Sequence, residues 1–190
     1  VGYAVTANSH DGFSGRDARR PPWSFPASPS PANAAVAAVV AWLVLTSPWV
    51  PMLRRVPAGA GFLDYAHVVL GFAGLLLGIA YAFCCVKAGG WRTYFPWIAG
   101  PLGPVGRDLA GLFRGRIPSA EGGGLYSLIE GLLLLALAAA ALAGAAWFLA
   151  QGSDAALGWR ECHIVAARCL IGLVILHILA VASHLLDFAG

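Results

Sequence analysis

The chain ends in the stretch ECHIVAARCLIGLVILHILAVASHLLDFAG, residues 161–190. It is one of the most apolar runs in the protein, and an apolar run longer than about 18 residues is typical of a helix that crosses a membrane. The same stretch holds three of the five histidines, His163, His177 and His184. An imidazole in hydrocarbon is costly unless its nitrogens find partners, so histidines in such a helix indicate a functional site. The structural alternative is a histidine that hydrogen-bonds to a neighbouring helix.

The whole chain is too apolar for an ordinary soluble domain. Of its 190 residues, 59% are hydrophobic and 11% are charged, whereas soluble domains carry about 25% charged residues. The net charge of +3 is too small and too dispersed to indicate binding of nucleic acid. Four windows of roughly 20 residues contain almost no charge, and this is the length that crosses a lipid bilayer as a helix. We therefore predict an all-α integral membrane protein, a bundle of four transmembrane helices.

The four predicted helices define the organisation of the chain. Helix one starts at about Asn33, helix two covers residues 62–86, helix three covers residues 125–150, and helix four runs from about Cys162 to Leu186. A long cytoplasmic loop separates helices two and three. Its segment VGRDLAGLFRGRIP alternates apolar and basic residues as an interfacial helix does. The prediction is thus a polar, Pro- and Ser-rich cytoplasmic tail over 1–32 and a membrane domain over 33–190.

The distribution of Lys and Arg predicts the orientation, because cytoplasmic segments carry the excess of positive charge. Eight basic residues fall in the tail and the long loop: Arg16, Arg19, Arg20, Lys87, Arg92, Arg107, Arg114 and Arg116. The opposite side carries Arg54, Arg55 and Arg160. Both termini are therefore predicted to be cytoplasmic.

The spacing of the histidines predicts where they face. Fourteen residues separate His163 from His177, which leaves them within about 40° of each other and about 21 Å apart along a helix. His184 lies only about 20° further round, so all three share one stripe. Helix two opens with DYAHVVLGFAGLLLG and runs in the same direction as helix four, so His67 and His163 are predicted to lie at matching depth. Two imidazoles that face each other across a bundle suit a b-type haem, each Nε2 supplying one axial bond.

Other residues near these histidines allow more than one interpretation. Gly71, Gly74 and Gly78 follow His67 at near-helical spacing. They either make room for a flat macrocycle or permit close contact between helices. Zinc is the competing metal, because three possible ligands adjoin the two histidines and zinc prefers four. These three are Cys162, Glu161 and Asp64.

The order and spacing of these segments carry a resemblance to a known family. The last helix, HIVAARCLIGLVILHILAVASH, resembles that of the bacterial cytochrome b561 family, which includes the b-type cytochrome subunits of membrane-bound nickel–iron hydrogenases. The similarity extends to DYAHVVLGFAGLLLGIAYAF in helix two and to GRDLAGLFRGRIPSAEGGG before helix three. Together these segments span roughly residues 60–187.

The resemblance implies a set of haem ligands. In that family four helices hold two haems b, and His67 and His163 match the ligands of the outer haem. His177 matches the helix-four ligand of the inner haem, whose usual partner is a histidine early in helix one. Here residues 28–45 contain no histidine. One haem is therefore expected, and a second at His177 needs a ligand from His10 or from another subunit. Otherwise His177 packs between helices or belongs to a quinone pocket, and His184 is interfacial.

Two arginines of helix four are candidates for contact with the haem. Arg160 either neutralises the haem propionates or anchors the helix at the interface. Arg168 lies more than a turn inside the helix and points away from His163, so it needs a carboxylate partner or a propionate. Gly71 and Arg160 complete the predicted cofactor site of His67, His163 and His177.

The function implied is that of an electron-transfer subunit, a membrane-bound b-type cytochrome in a respiratory complex. It passes electrons between the quinone pool and a redox subunit or cytochrome c on the outer, periplasmic face. Two axial imidazoles leave no open position on the iron, so we assign no catalytic residue. One alternative is a structural membrane anchor of a larger complex that has lost its haems. Another is an enzyme that oxidises quinol by itself.

Overall fold

The structure, a computed structural model, describes residues 31–87, 91–118 and 124–189, and this part of the chain is helical without strands. The helices are α1 (Pro31–Thr46), α2 (Phe62–Lys87), α3 (Trp91–Tyr94), α4 (Pro96–Ala99), α5 (Gly103–Leu112), α6 (Leu125–Leu149) and α7 (Ala155–Ala189), with a 3₁₀ turn over Ser47–Trp49 after α1. The predicted all-α fold is confirmed. The predicted tail, with His10 and three of the arginines, lies outside the described residues apart from its last two positions.

Three helices are long and apolar enough to cross a membrane. Their apolar segments are Phe62–Cys84, Leu125–Leu149 and Ala155–Ser183, with 23, 25 and 29 residues. About 20 residues suffice to cross a bilayer. These are the predicted helices two, three and four. Helix α1 has 16 residues, so its length of about 24 Å is less than the roughly 30 Å of hydrocarbon. The described part of the chain thus bears out three of the four predicted spans.

The outward faces of these helices are apolar. On α2, Leu76 is 69% exposed and Ile79 59%, and on α7, Leu179 is 60% exposed. A continuous apolar surface of this kind is not tolerated in water, where it causes association. Lipid is the environment that matches it, which is compatible with an integral membrane protein.

At one end of the bundle, the connection between α1 and α2 lies against the turn between α6 and α7. The Nε1 atom of Trp147 donates to the carbonyl of Leu53 at 2.8 Å, and the amide of Gly152 donates to the carbonyl of Arg54 at 3.1 Å. The guanidinium of Arg54 also pairs with Asp154. The end of α1, the start of α2, the end of α6 and the start of α7 therefore share one end of the molecule, and consecutive long helices alternate in direction.

At the other end, three short helices connect α2 to α6. Helix α5 corresponds to the segment predicted as an interfacial helix, and its Asp108 accepts a hydrogen bond from the amide of Leu125 at 2.8 Å. This bond satisfies a free amide at the start of α6. Helix α3 packs against α6 at Gly131, where any side chain would overlap the carbonyl of Tyr94. Tyr126 donates to the carbonyl of Ala180 at 2.7 Å and so connects α6 to α7.

The start of helix four was predicted wrongly. It was placed at about Cys162, but α7 begins at Ala155, directly after a turn in which Gly152 has a φ of 83°. The intervening residues include Arg160 and Glu161, which lowered the local hydropathy. Hydropathy indicates where a helix enters an apolar environment, whereas the backbone becomes helical wherever the preceding turn ends.

Helix α6 lies at the centre of the arrangement. It packs along α7 and also against α2, and α1 packs against α2. Helices α2 and α7 make almost no direct contact with each other. The space left between them is the place where a ligand could lie.

Candidate functional site

A cavity of about 430 Å³ occupies the space between α2 and α7. Small-molecule sites in proteins range from about 300 to 1,000 Å³. Helices α1, α2, α6 and α7 all contribute to its wall, and the connection between α1 and α2 covers it with Val50, Pro51, Met52, Val56 and Pro57. Most of the lining is apolar. Its ionisable side chains are Asp64, His67, His163 and Arg168.

The ring of His163 is held by α6. Its Nδ1 atom lies 2.8 Å from the carbonyl oxygen of Ala140. A carbonyl can only accept, so Nδ1 carries a proton, and in the neutral ring Nε2 then keeps its lone pair. Gly144, one turn further along α6, makes room for the ring, because a Cβ atom there would lie 3.0 Å from Nδ1. His163 therefore has the tautomer of a metal ligand, in which the second nitrogen is held by an acceptor.

The ring of His67 is held in a similar way by α1. Its Nδ1 atom lies 3.3 Å from Oγ1 of Thr46, and this hydroxyl donates its own proton to the carbonyl of Trp42 at 2.8 Å. The hydroxyl oxygen is then the acceptor for Nδ1–H, and in the neutral ring Nε2 of His67 is again without a proton. The two histidines predicted to face each other thus line one cavity in the same tautomer. Their role as iron ligands stays a prediction.

The three glycines that follow His67 have different surroundings. Gly71 lines the cavity, and a Cβ atom built there would meet nothing within 4 Å. At Gly74 a Cβ would contact Val39 of α1 at 3.4 Å, and at Gly78 it would contact Leu137 of α6 at 3.5 Å. Gly74 and Gly78 thus lie at helix contacts, whereas Gly71 leaves space in the cavity. That this space receives a macrocycle stays a prediction.

The two arginines of α7 lie in different places. Arg160, for which contact with the propionates and anchoring at the interface were both considered, is not among the described residues that line the cavity. Its guanidinium donates to the carbonyl of Met52 and pairs with Glu161, so it connects α7 to the α1–α2 connection. Arg168 lines the cavity instead. The geometry thus favours the anchoring interpretation for Arg160.

His177 lies apart from this cavity. It is half-buried on α7, and its Nδ1 atom is buried without a hydrogen-bond partner among the described residues. A smaller cavity of about 210 Å³ lies nearby, lined by Leu176, Ala180 and Tyr126 among others, but His177 is not in its wall. The side chain of His184 lies outside the described part of the chain.

The ligands considered for zinc are not gathered around the histidines. Within the described ranges, no group of three or more His, Cys, Asp or Glu side chains is arranged to hold a metal ion. Glu161 pairs with Arg160, Cys162 is exposed, and Asp64 accepts a hydrogen bond from the amide of Gly61 at 2.8 Å. The described side chains therefore do not bring together the four ligands that zinc prefers.

The sequence interpretation missed three residues of the site. Ala140 acts through its backbone carbonyl, which leaves no signal in the sequence. Gly144 lies within a run of small residues, AAAALAGAA, where nothing distinguishes it from its neighbours. Thr46 did offer a signal, because it is a hydroxyl at the end of an apolar helix.

Comparisons of the chain with protein-family models, with curated proteins and with solved structures found no match. What the cavity does must therefore be inferred from its own residues.

Proposed function

We propose that the chain is a b-type cytochrome subunit of the membrane, which binds one haem b between α2 and α7 and transfers single electrons. One observation carries the proposal: His67 and His163 line the same cavity, and each has its Nδ1 atom within hydrogen-bond distance of an oxygen that can accept. In the neutral rings, Nε2 then keeps its lone pair. That is the state required of two axial ligands. The sequence resemblance to the cytochrome b561 family points to the same pair.

The residues present fit this group. When bound, haem b supplies reversible one-electron exchange at its iron. Thr46 and the Ala140 carbonyl hold the two rings in the ligating tautomer. The apolar wall excludes water, and Gly71 leaves space beside His67.

Ligation by two imidazoles determines the kind of function. With both axial positions taken by protein, no position on the iron is open to oxygen or to a substrate. The chain is then an electron-transfer subunit of an oxidoreductase complex, and the catalytic step belongs to a partner. We propose that this partner is a redox subunit or cytochrome c on the outer face, and that the quinone pool exchanges electrons on the inner side.

The membrane arrangement that we propose includes α1 as a fourth span. Its apolar segment continues through the 3₁₀ turn to Trp49, so it reaches the same end as the other helices. With the basic residues of the tail and of the α2–α6 connection on the cytoplasmic side, both termini are cytoplasmic. The cavity then lies near the outer leaflet of the bacterial inner membrane.

The first experiment tests the ligands on the full chain purified in detergent. We expect a reduced-minus-oxidised spectrum with the α-band of a low-spin haem b. His67→Ala and His163→Ala should each abolish this band or convert it to a high-spin spectrum. His177→Ala is the matched control on α7, because His177 does not line the cavity, and it should keep the band.

Three outcomes would contradict the proposal or its count of one haem. Unchanged low-spin spectra in both ligand variants would refute the ligand pair. A wild-type chain without any b-type band would favour the alternative function, a structural membrane anchor. A pyridine haemochrome assay that gives two haems per chain would show that His177 holds a second one.

A further inference from the structure

Among the described residues that line the cavity, Arg168 is the one arginine or lysine, and it is exposed. It lies within the apolar segment Ala155–Ser183, eight residues and about 12 Å beyond Arg160 along α7. A charged side chain at this depth is costly and is normally compensated by an opposite charge. Arg168 therefore needs an anionic partner.

No carboxylate of the described residues serves as that partner. The ion pairs in this part of the chain join Arg54 to Asp154 and Arg160 to Glu161. The one carboxylate in the cavity wall belongs to Asp64, which accepts from the amide of Gly61. Asp64 precedes His67 by three residues, whereas Arg168 follows His163 by five, on helices that run in the same direction. The two charges therefore lie towards opposite ends of the cavity.

Because Asp64 and Arg168 lie towards opposite ends of the cavity, they determine which way round an anionic ligand would bind. The end covered by the α1–α2 connection offers apolar side chains and the negative charge of Asp64, which repels a carboxylate. The other end offers a guanidinium, whose planar donors match a carboxylate in two parallel hydrogen bonds. Electrostatics thus favours one orientation of the ligand over its reverse.

We propose that Arg168 binds a carboxylate of the ligand in this cavity. This inference rests on the proposed function, in which that carboxylate is a haem propionate. It places the propionate at the end of the cavity where Arg168 lies. The opposite end is the one covered by the α1–α2 connection, to which Arg160 is bonded. Arg168 is then a binding residue for the cofactor, whereas Arg160 holds the covering connection through the carbonyl of Met52.

The test compares two iron porphyrins on the full apo-chain in detergent: iron protoporphyrin IX and its dimethyl ester, which lacks the negative charges. We expect the wild-type chain to bind the free acid about 10- to 100-fold more tightly, the effect of a hydrogen bond to a charged group. Arg168→Gln should lose this preference and keep the affinity for the ester, which also shows that the variant is folded. Arg168→Lys should keep part of the preference.

Two further variants serve as comparisons. Arg160→Gln should keep the preference, because this guanidinium does not line the cavity. Arg114→Gln removes an exposed charge outside the apolar segments and should also keep it.

The outcomes separate this inference from the proposed function. Equal affinity of the wild-type chain for acid and ester would overturn the role of Arg168 and leave the haem proposal standing, with no variant needed. A preference that survives in Arg168→Gln and disappears in Arg160→Gln would also overturn it. Binding of neither porphyrin to the wild-type chain would contradict the haem proposal itself, and this inference with it.

Discussion

At the residue scale, the position of the His163 ring depends on two residues of α6, one that contacts the ring and one that has no side chain. The carbonyl of Ala140 orients Nδ1, and the missing side chain of Gly144 leaves the ring its place. Acceptors that hold the second nitrogen of a histidine commonly change metal affinity about 10- to 100-fold when they are removed. Under the haem proposal, α6 supplies no ligand but holds the ring of one in place.

Gly144→Ala tests this arrangement. The added Cβ would lie 3.0 Å from Nδ1 and 3.2 Å from Cε1 of His163, so the ring must move and its bond to Ala140 weakens. Under the haem proposal, we expect haem affinity to fall about tenfold, measured by titration of the apo-chain. Gly172→Ala is the matched control, because it also replaces a glycine within a helix and its Cβ would meet nothing within 4 Å. Equal affinities in the two variants would contradict the role of Gly144.

At the element scale, the connection between α1 and α2 is a structural part of the site. Its residues cover the cavity, and it is attached to the rest of the bundle through Trp147, Gln151, Arg160 and Asp154. The Oε1 atom of Gln151 accepts from the amide of Val56 at 2.8 Å, for example. A segment without regular secondary structure keeps its position only through such bonds, because its backbone has few of its own.

Trp147→Phe should loosen this cover. The substitution keeps an aromatic ring at a position that is 5% exposed but removes the donor to the Leu53 carbonyl. We expect stability to fall by about 1 kcal/mol. Under the haem proposal, the rate of haem loss to an excess of apomyoglobin should rise about fivefold. Trp159→Phe, at a position that is 44% exposed, is the matched control and should change neither quantity. Identical rates of haem loss in both variants would show that the bond does not hold the cover in place.

At the scale of the whole molecule, the apolar surface and the alternating directions of the long helices define how the chain can sit in a membrane. Helices α2, α6 and α7 are long enough to cross by themselves. If only these three cross, the two termini lie on opposite sides, and if α1 also crosses, they lie on the same side. The topology of the termini therefore distinguishes the two arrangements.

Fusions of a reporter to the full chain measure that topology. We expect a fluorescent protein that matures only in the cytoplasm to be bright at the N-terminus and at the C-terminus. Alkaline phosphatase, which is active only outside the cytoplasm, should be active after insertion at Ala58, between α1 and α2, and inactive after insertion at Arg114, beyond α5. A dark N-terminal fusion with a bright C-terminal one would show that α1 does not cross.

The amino-acid sequence alone determined the helices and the shared position of two histidines. Length and hydropathy are local properties, so the three membrane-length helices and α5 were predictable, although the start of α7 was not. His67 and His163 could be placed together because each lies near the start of a long helix and the two helices run in the same direction.

Only the tertiary structure decided which atoms reach the cavity. The acceptor of His163 is 23 residues away and that of His67 is 21 residues away, and Trp147 and Leu53 are 94 residues apart. The tautomers, the space at Gly144 and the choice of Arg168 over Arg160 depend on how separate helices pack against each other. Periodicity along one helix defines the face on which a side chain lies, whereas packing between helices determines what that face meets.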